Sequence, residues 1–141
     1  MADLAYATAS ELARRIRHRE LSAVELLDAY LDRIDRYNPV LNAIVTLDAD
    51  SARRQAAEAD RALARGEAVG PLHGAPMTLK DCHATAALRT TAGFPPLADY
   101  VPSEDSVAVA RLRAAGAIIL GKTNVPPLAT HIQTDNPLFG R

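Results

Sequence analysis

The sequence predicts an α/β fold, in which helices pack against a β-sheet. Two short apolar runs with strand character, Met77–Lys80 and Ala117–Leu120, lie on either side of a helical segment that ends at Gly116. A strand, a helix and a second strand in this order form the repeating unit of α/β proteins. A further run, Ala43–Leu47, is rich in β-branched residues and follows two predicted helices, so it is another candidate strand.

The chain opens with a predicted helix that starts at a capping box. In this arrangement Thr8 and Glu11 each accept a hydrogen bond from a backbone N–H that the first helical turn leaves free. Leu12 and Ile16 then place apolar side chains on one face. This helix is predicted to end near Arg19.

A second capping box, formed by Ser22 and Glu25, starts the next predicted helix. Apolar residues recur after it at helical spacing, which indicates one buried face. Asn38 and Pro39 are predicted to end this helix, because a residue that precedes proline is displaced from the α region.

The third predicted helix begins at Asp48 or Asp50, either of which can cap it, and runs to about Arg65. Its apolar face is built mostly from alanine, which predicts close packing against another element. Gly66 suits the left-handed position that follows many helices. A fourth helix is predicted from Ser103, its N-cap, to Gly116.

These elements predict a single domain with two parts. Residues 1–66 are mainly helical, and residues 67–141 add an α/β part that contains the strand ending at Lys80. Residues 82–102 and the tail from Thr123 to Arg141 show no regular period and are predicted to be irregular.

Composition excludes several classes of protein. The chain has 141 residues, of which 48% are hydrophobic, which is enough for a core and too many for a disordered chain. A net charge of -1 argues against a protein that binds nucleic acid or membranes through charge. No apolar stretch is long enough to cross a bilayer. Cys82 is the single cysteine, so a reducing cytoplasm is the expected compartment.

The cations are divided unequally, because only Lys80 and Lys122 are lysines and the rest are arginines. Both lysines close apolar runs. A desolvated amine can lose its proton, whereas a guanidinium cannot. We therefore treat Lys80 as a candidate general base, which requires a water-excluding pocket and hydroxyl partners within hydrogen-bond reach. The alternative is a strand-end lysine that extends into water, with Asp81 forming a turn or an ion pair.

Residues 116–123 match the phosphate-binding pattern G-x-x-x-x-G-K-[ST], but their context does not fit it. A P-loop follows a strand and precedes a helix, whereas here a helix precedes Gly116 and two prolines follow shortly after Thr123. Nucleotide binding stays an alternative that titration with ATP and magnesium can test. The histidines lack the spacing of metal ligands, so the sequence predicts neither a metal site nor a cofactor.

No side chain in the sequence is a convincing nucleophile. The serines lie at predicted helix starts or inside predicted helices, and none stands in a glycine-rich turn. Cys82 is followed by His83, but adjacent side chains point apart, so Cys82 is interpreted as a small, half-buried residue.

Most of the chain resembles the amidase signature family. The matching segments are Gly70–Asp81 (Gly-Pro-Leu-His-Gly-Ala-Pro-Met-Thr-Leu-Lys-Asp), Thr90–Gly93, Val107–Asn124 and Asn136–Gly140. The opening helices, with Asn38-Pro39, are similar to the family's N-terminal hairpin. The resemblance implies part of the amidase-signature fold, a mixed β-sheet wrapped by helices, and hydrolysis of carboxamide C–N bonds.

The resemblance also implies a serine–cis-serine–lysine triad, with Lys80 as the lysine and with no cofactor. In that mechanism neutral Lys80 takes a proton through the bridging serine while the second serine attacks the amide carbonyl. The implied partner is a small-molecule amide substrate, with no nucleic acid or membrane; a homodimer is one assembly that fits. The alternative within the family is the A subunit of a tRNA-dependent (aspartyl/glutamyl) amidotransferase, which would need further protein partners.

The chain departs from the family in one large respect. The family's serine-rich signature follows the segment Asn136–Gly140, and the sequence stops before it. We therefore expect an N-terminal fragment that does not hydrolyse amides by itself. We also expect it to be poorly folded or sticky, because strands Met77–Lys80 and Ala117–Leu120 lose sheet neighbours. Cys82 and Ala75 differ from the asparagine and isoleucine usual in the family. A non-catalytic relic, or an interaction module built from the N-terminal helices, is a further alternative.

Overall fold

The computed structural model describes residues 4–67 and 69–141, and it confirms the predicted α/β class. Residues 1–3 and Ala68, which the predicted two-part division includes, lie outside the described residues. Short 3-10 helices occur at Leu4–Tyr6, Pro95–Leu97 and Pro127–Ala129. The longer elements, in chain order, are α1 (Ala9–Arg17), α2 (Ala23–Leu41), β1 (Ile44–Leu47), α3 (Ala49–Ala64), β2 (Pro76–Lys80), α4 (Val107–Ala114) and β3 (Ile118–Thr123).

The described strands form a mixed, three-stranded sheet in the order β1-β3-β2. Central strand β3 pairs antiparallel with β1 and parallel with β2. The expectation that both apolar strands lack neighbours is therefore wrong for β3, which is paired along both sides. It holds in part for β2, which pairs with β3 alone within the described residues. β3 also extends to Thr123, beyond the predicted run that ended at Leu120.

An irregularity in this register decides which way Lys122 points. Met77 is aligned with Ile119, but Thr78 is aligned with Gly121, so Leu120 is an extra residue on β3 relative to β2. A bulge of this kind reverses the alternation of side chains beyond it. Leu79 is consequently aligned with Lys122, and the side chain of Lys122 lies on the same face of the sheet as that of Leu79.

The predicted helix starts are confirmed for the first three helices. Ser22 forms a full capping box, in which its side chain accepts from Glu25 N and the Glu25 side chain accepts from Ser22 N. Thr8 forms one of the two hydrogen bonds of a capping box. Its Oγ1 accepts from Glu11 N at 3.2 Å, whereas the Glu11 carboxylate binds Arg14. Asp48, one of the two predicted candidates, caps α3 by accepting from Ser51 N.

The predicted end of the second helix is wrong, because α2 continues through Pro39 to Leu41. Side-chain hydrogen bonds to Ile44, six residues further on, hold Asn38 in the helix despite the proline that follows it. Its side-chain Oδ1 accepts from Ile44 N at 2.8 Å, and its Nδ2 donates to Ile44 O at 2.9 Å. Asn42, in the left-handed conformation, then ends the helix by donating its N–H to Asn38 O.

The predicted cap of the fourth helix is also wrong. α4 starts after Ser106 and not after Ser103, and the Ser106 side chain makes no capping hydrogen bond. The intervening turn is held by Asp105 instead, whose carboxylate accepts from Ala86 N at 2.7 Å and from Arg113 Nε at 2.9 Å. Because Arg113 lies in α4, this pair fixes the helix to the irregular segment before it.

The sheet separates two apolar cores. Helices α1, α2 and α3 pack on one face, where Ile118 and Leu120 of β3 join the larger core. Leu79, Val109 and Ile119 belong to the smaller core on the other face, with α4 and the loop after β2. Both predicted parts of the chain therefore contribute to the same sheet and the same core.

Candidate functional site

The candidate site lies at the edge of the sheet where β2 and β3 end. Because the two strands are parallel, their carboxyl ends meet there, and Lys80 is aligned with Thr123. Crevices beyond the carboxyl ends of parallel strands are common ligand sites in α/β proteins. Lys80 is the last residue of β2, so the strand sets the position of its side chain.

Lys80 is exposed, and no side-chain hydrogen bond or ion pair of Lys80 occurs within the described residues. The water-excluding pocket that the sequence predicted for this amine is not formed around it by residues 4–67 and 69–141. The position agrees with the alternative interpretation, a strand-end lysine that extends into water.

Asp81 follows Lys80 and is completely buried. Its Oδ2 accepts hydrogen bonds from both the backbone N–H, at 3.0 Å, and the hydroxyl of Thr91. Its own N–H donates to Thr123 O, and its carbonyl accepts from Ala92 N. Its Oδ1 is buried without a hydrogen-bond partner among the described residues. Asp81 thus attaches the segment around Thr91 to the end of the sheet.

Lys122 is the buried lysine of this chain, with a relative exposure of 0%. Its ammonium donates to His83 O at 2.6 Å, Thr90 Oγ1 at 2.8 Å and Thr85 Oγ1 at 3.2 Å. Nζ also lies 4.0 Å from Oδ1 of Asp81. The donors of the ammonium are thereby matched by three acceptors, which offset part of the cost of burying the charge.

Burial lowers the pKa of Lys122 below its ordinary value, and the negative charge of Asp81, with a smaller contribution from Cys82, opposes this shift. The buried polar cluster therefore contains one cation, one carboxylate and the hydroxyls of Thr85, Thr90 and Thr91. The sequence shows that Lys122 closes an apolar run, but it does not predict this cluster. The bulge at Leu120, which turns Lys122 toward the loop, has no sequence signal that could have revealed it.

The other side chains considered from sequence do not join Lys80. Cys82 is partly buried and free. Ser22 caps α2, and Ser51 accepts from Gln55 inside α3. Within the described residues, no serine or histidine hydrogen-bonds to the amine of Lys80. This part of the chain therefore positions no nucleophile beside it.

The segment that matches the P-loop pattern, residues 116–123, lies largely in a strand and not in a loop. Residues 118–123 form β3, and Gly121 approaches Thr46 O so closely that an added Cβ would lie 2.4 Å from it. Lys122, the residue that would contact phosphate, is buried in the sheet. These residues form no phosphate-binding loop.

Asparagine side chains hold the end of the chain against β1 and β3. Asn136 is buried, and its Nδ2 donates to Asn124 Oδ1 at 2.7 Å and to Val125 O at 2.8 Å. Asn42 Nδ2 donates to Phe139 O at 2.6 Å. The segment from Asn136 to Gly140 is thereby fixed beside the same edge of the sheet that carries Lys80.

The chain belongs to the amidase family, whose model, described as Amidase, matches residues 25–141. The matched region contains Lys80, the buried cluster around Lys122 and the segment from Asn136 to Gly140. The fold predicted from the resemblance is confirmed, since solved structures of amidase signature enzymes align with the chain at high similarity.

Curated relatives cover nearly all of this chain. An "Acylamidase" of Rhodococcus erythropolis is 43% identical over 138 residues, which are 98% of this chain and 29% of the relative. The A subunit of the glutamyl-tRNA(Gln) amidotransferase of Acidothermus cellulolyticus is 44% identical over 140 residues, which are 99% of this chain and 28% of the relative. The chain thus spans less than a third of the length of these relatives.

Solved structures give the same result. A "Fatty acid amide hydrolase" superposes with a TM-score of 0.90 and 30% identity, covering 97% of this chain and 24% of that chain. A bacterial aryl acylamidase of the amidase signature family superposes with a TM-score of 0.89 and 30% identity, covering 96% and 28%. Among residues 4–67 and 69–141, no helix has both the length and the apolar character that a bilayer span requires.

Proposed function

We propose that this chain contributes the lysine of an amide-hydrolysing site, and that Lys80 is that lysine. The observation that supports it most is the position of Lys80 at the exposed carboxyl end of β2, inside the region that the amidase family model matches. An amine in this position can be reached both by a substrate and by a hydroxyl on a neighbouring segment. The same proposal treats residues 1–141 as the N-terminal portion of a single amidase domain.

In the proposed reaction, two serines outside residues 1–141 complete a serine–cis-serine–lysine triad. Neutral Lys80 takes a proton from the bridging serine, which takes the proton of the nucleophilic serine. The nucleophilic Oγ forms a bond to the carboxamide carbon, and the C–N bond breaks as the leaving nitrogen receives a proton through the same route. Water then hydrolyses the acyl ester. The proposed reaction uses no cofactor.

The exposure of Lys80 sets a condition on this proposal. A general base works in a water-excluding pocket, so the segment that carries the serines has to cover Lys80 and remove water from it. We therefore propose that the chain of 141 residues does not hydrolyse amides by itself. Cytoplasmic localisation and the absence of a nucleic acid partner stay predictions.

A chimera tests the assignment of Lys80. Residues 1–141 are joined to the part of the Rhodococcus acylamidase that follows its matched segment, and carboxamide hydrolysis is measured. We expect hydrolysis by the chimera, and a loss of about 100-fold or more on Lys80→Ala, since removing a positioned proton carrier costs about that much. The matched control is Arg54→Ala, which removes an exposed cation from α3, away from the strand ends.

The unfused chain is assayed in parallel and is expected to show no hydrolysis. Hydrolysis by the unfused chain, or a chimera in which Lys80→Ala retains its rate, would contradict the proposal. A folded but inactive chimera, with a circular dichroism melt equal to that of the acylamidase, would also count against it.

A second candidate function is the A subunit of a tRNA-dependent amidotransferase. Relatives of that kind are 38% to 44% identical to this chain. In this case the substrate amide would be glutamine, and partner subunits would be required. Hydrolysis of aryl and alkyl amides by a chimera without added partners favours the amidase. Glutamine hydrolysis that appears only when the partner subunits are added favours the amidotransferase.

A further inference from the structure

Lys80 and Asp81 are adjacent in the sequence, but the structure separates their side chains. Lys80 is exposed at the end of β2, whereas Asp81 is completely buried on the other side of the strand. The carboxylate cannot turn toward Lys80 without losing its hydrogen bonds from Thr91 and its contact with Lys122. A carboxylate beside Lys80 would favour the ammonium form of the amine, which is the wrong form for a general base.

Lys122 is the group that stabilises the buried carboxylate of Asp81. It supplies the only cationic side chain within ion-pair distance of Asp81 in the described part of the chain, at 4.0 Å. Its ammonium also binds His83 O, Thr85 Oγ1 and Thr90 Oγ1, which are points on the loop that follows Asp81. Without this cation the carboxylate would keep only its hydrogen bonds from Thr91, and its negative charge would be unbalanced.

We propose that Lys122 is a positioning residue for Lys80. It holds the carboxylate of Asp81 and the loop from His83 to Thr90 on the face of β2 opposite Lys80, and it neutralises the carboxylate there. The amine of Lys80 is thereby presented at the strand end without an anionic neighbour among the described residues. The relevance of this arrangement to catalysis rests on the proposed function, in which Lys80 is the base, but the arrangement itself is a property of the chain.

The arrangement can be tested on the 141-residue chain through the reactivity of the Lys80 amine. Acetic anhydride acylates a neutral amine and not an ammonium, and Lys122 is shielded by burial. The acetylation rate at Lys80 is measured at pH 8 by peptide mass spectrometry. The variants are Lys122→Met, Asp81→Asn and the double variant, and the control is Val109→Ala, which removes two methyl groups from the smaller core and changes no charge.

The expected rates move in opposite directions. Lys122→Met leaves the charge of Asp81 unbalanced and slows acetylation of Lys80 by about threefold, whereas Asp81→Asn leaves the charge of Lys122 unbalanced and accelerates it by about threefold. The double variant and Val109→Ala react at the rate of the parent chain. Loss of folding moves the two single variants in the same direction, so the opposite signs separate electrostatic positioning from a merely structural role.

Equal rates in the parent chain and both single variants would overturn the inference, as would shifts of one sign. This result is independent of the chimera. Opposite shifts together with full activity of the Lys80→Ala chimera would retain the positioning of the amine and remove the proposed function. Unchanged acetylation rates together with an inactive Lys80→Ala chimera would retain the proposed function and remove the positioning role of Lys122.

Discussion

The two lysines of this chain are neighbours in the sheet but have opposite surroundings. Lys122 is aligned with Leu79, one residue before Lys80, yet it is fully buried while Lys80 is exposed. The difference depends on the extra residue Leu120, which turns Lys122 toward the loop after β2. Lys122 therefore holds the loop after β2 through its hydrogen bonds, whereas Lys80 is accessible to reagents.

The titration of Lys122 makes folding stability depend on pH. Burial lowers its pKa below the ordinary value of 10.5, so in the window between the two values the unfolded chain binds more protons than the folded chain. Stability therefore rises with pH through this window, because the folded chain is relieved of a buried charge. We expect the free energy of unfolding of the parent chain, relative to Lys122→Met, to increase as the pH is raised toward 10.5.

Urea denaturation of both chains at several pH values provides the measurement. The Lys122→Met chain is the reference because it keeps every other titrating group, including Lys80 and Cys82. If the difference in unfolding free energy between the two chains stays constant or falls as the pH rises, the pKa of Lys122 is not lowered by folding.

At the scale of single residues, sequence predicted the position of Lys80 but not its surroundings. A lysine at the end of an apolar run is visible in the sequence, and β2 does end at Lys80. The buried cluster was not predictable, because Thr85, Thr90 and Thr91 come together with Lys122 only through the loop and the register of β3.

The secondary-structure elements were predicted most accurately where local chemistry decides them. The side chains of Ser22 and Asp48 cap the helices at the predicted positions, since a cap depends on residues three positions apart. The helix end predicted at Pro39 is wrong, because the hydrogen bonds between Asn38 and Ile44 override the effect of the proline on α2. These bonds form only because the chain turns back at Asn42, whose left-handed conformation the proline rule does not take into account.

Gly121 gives a test at this scale, because it lies where β1 approaches β3 most closely. A Cβ at Gly121 would lie 2.4 Å from Thr46 O, which is backbone and cannot move without disturbing the strand pair. We expect Gly121→Ala to destabilise the chain by about 3 kcal/mol, a cost in the range of overpacking. Thermal and urea denaturation measure the change.

Gly66 provides the matched control for this substitution. No atom of residues 4–67 or 69–141 lies within 4 Å of a Cβ at Gly66, so the cost expected from these residues is the backbone strain at its φ of +75°. We expect Gly66→Ala to cost about 1 kcal/mol. If both alanine variants lost the same stability, close approach of the strands would not be the reason for glycine at position 121.

The whole molecule is organised around β3 and not around the predicted boundary near residue 66. β1 comes from the helical part and pairs with β3, and Leu120 is buried among residues of α1, α2 and α3. Residues 67–141 alone would expose Ile118 and Leu120, which are 3% and 2% exposed in the 141-residue chain. The two predicted parts therefore depend on each other.

We expect residues 67–141, expressed separately, to lack a cooperative thermal transition and to have less fixed tertiary structure than the 141-residue chain. The physical reason is the loss of the larger core, since uncovering even one buried leucine costs several kcal/mol. Near-ultraviolet circular dichroism and a melt of each chain are the measurements. A separate cooperative melt of residues 67–141 would show that the predicted boundary is a real folding boundary.

Among the strands that the structure describes, β2 is paired on one side only, and this has a consequence for how the sheet can grow. A strand added beside β2 would run about 5 Å from it, and one of its residues would lie level with Lys80. Whichever polypeptide completes this edge will thus select the chemical neighbours of the exposed amine, even if its own side chains make no contact with the rest of the chain. The residues paired with the free edge of β2 would then decide which reaction, if any, Lys80 can take part in.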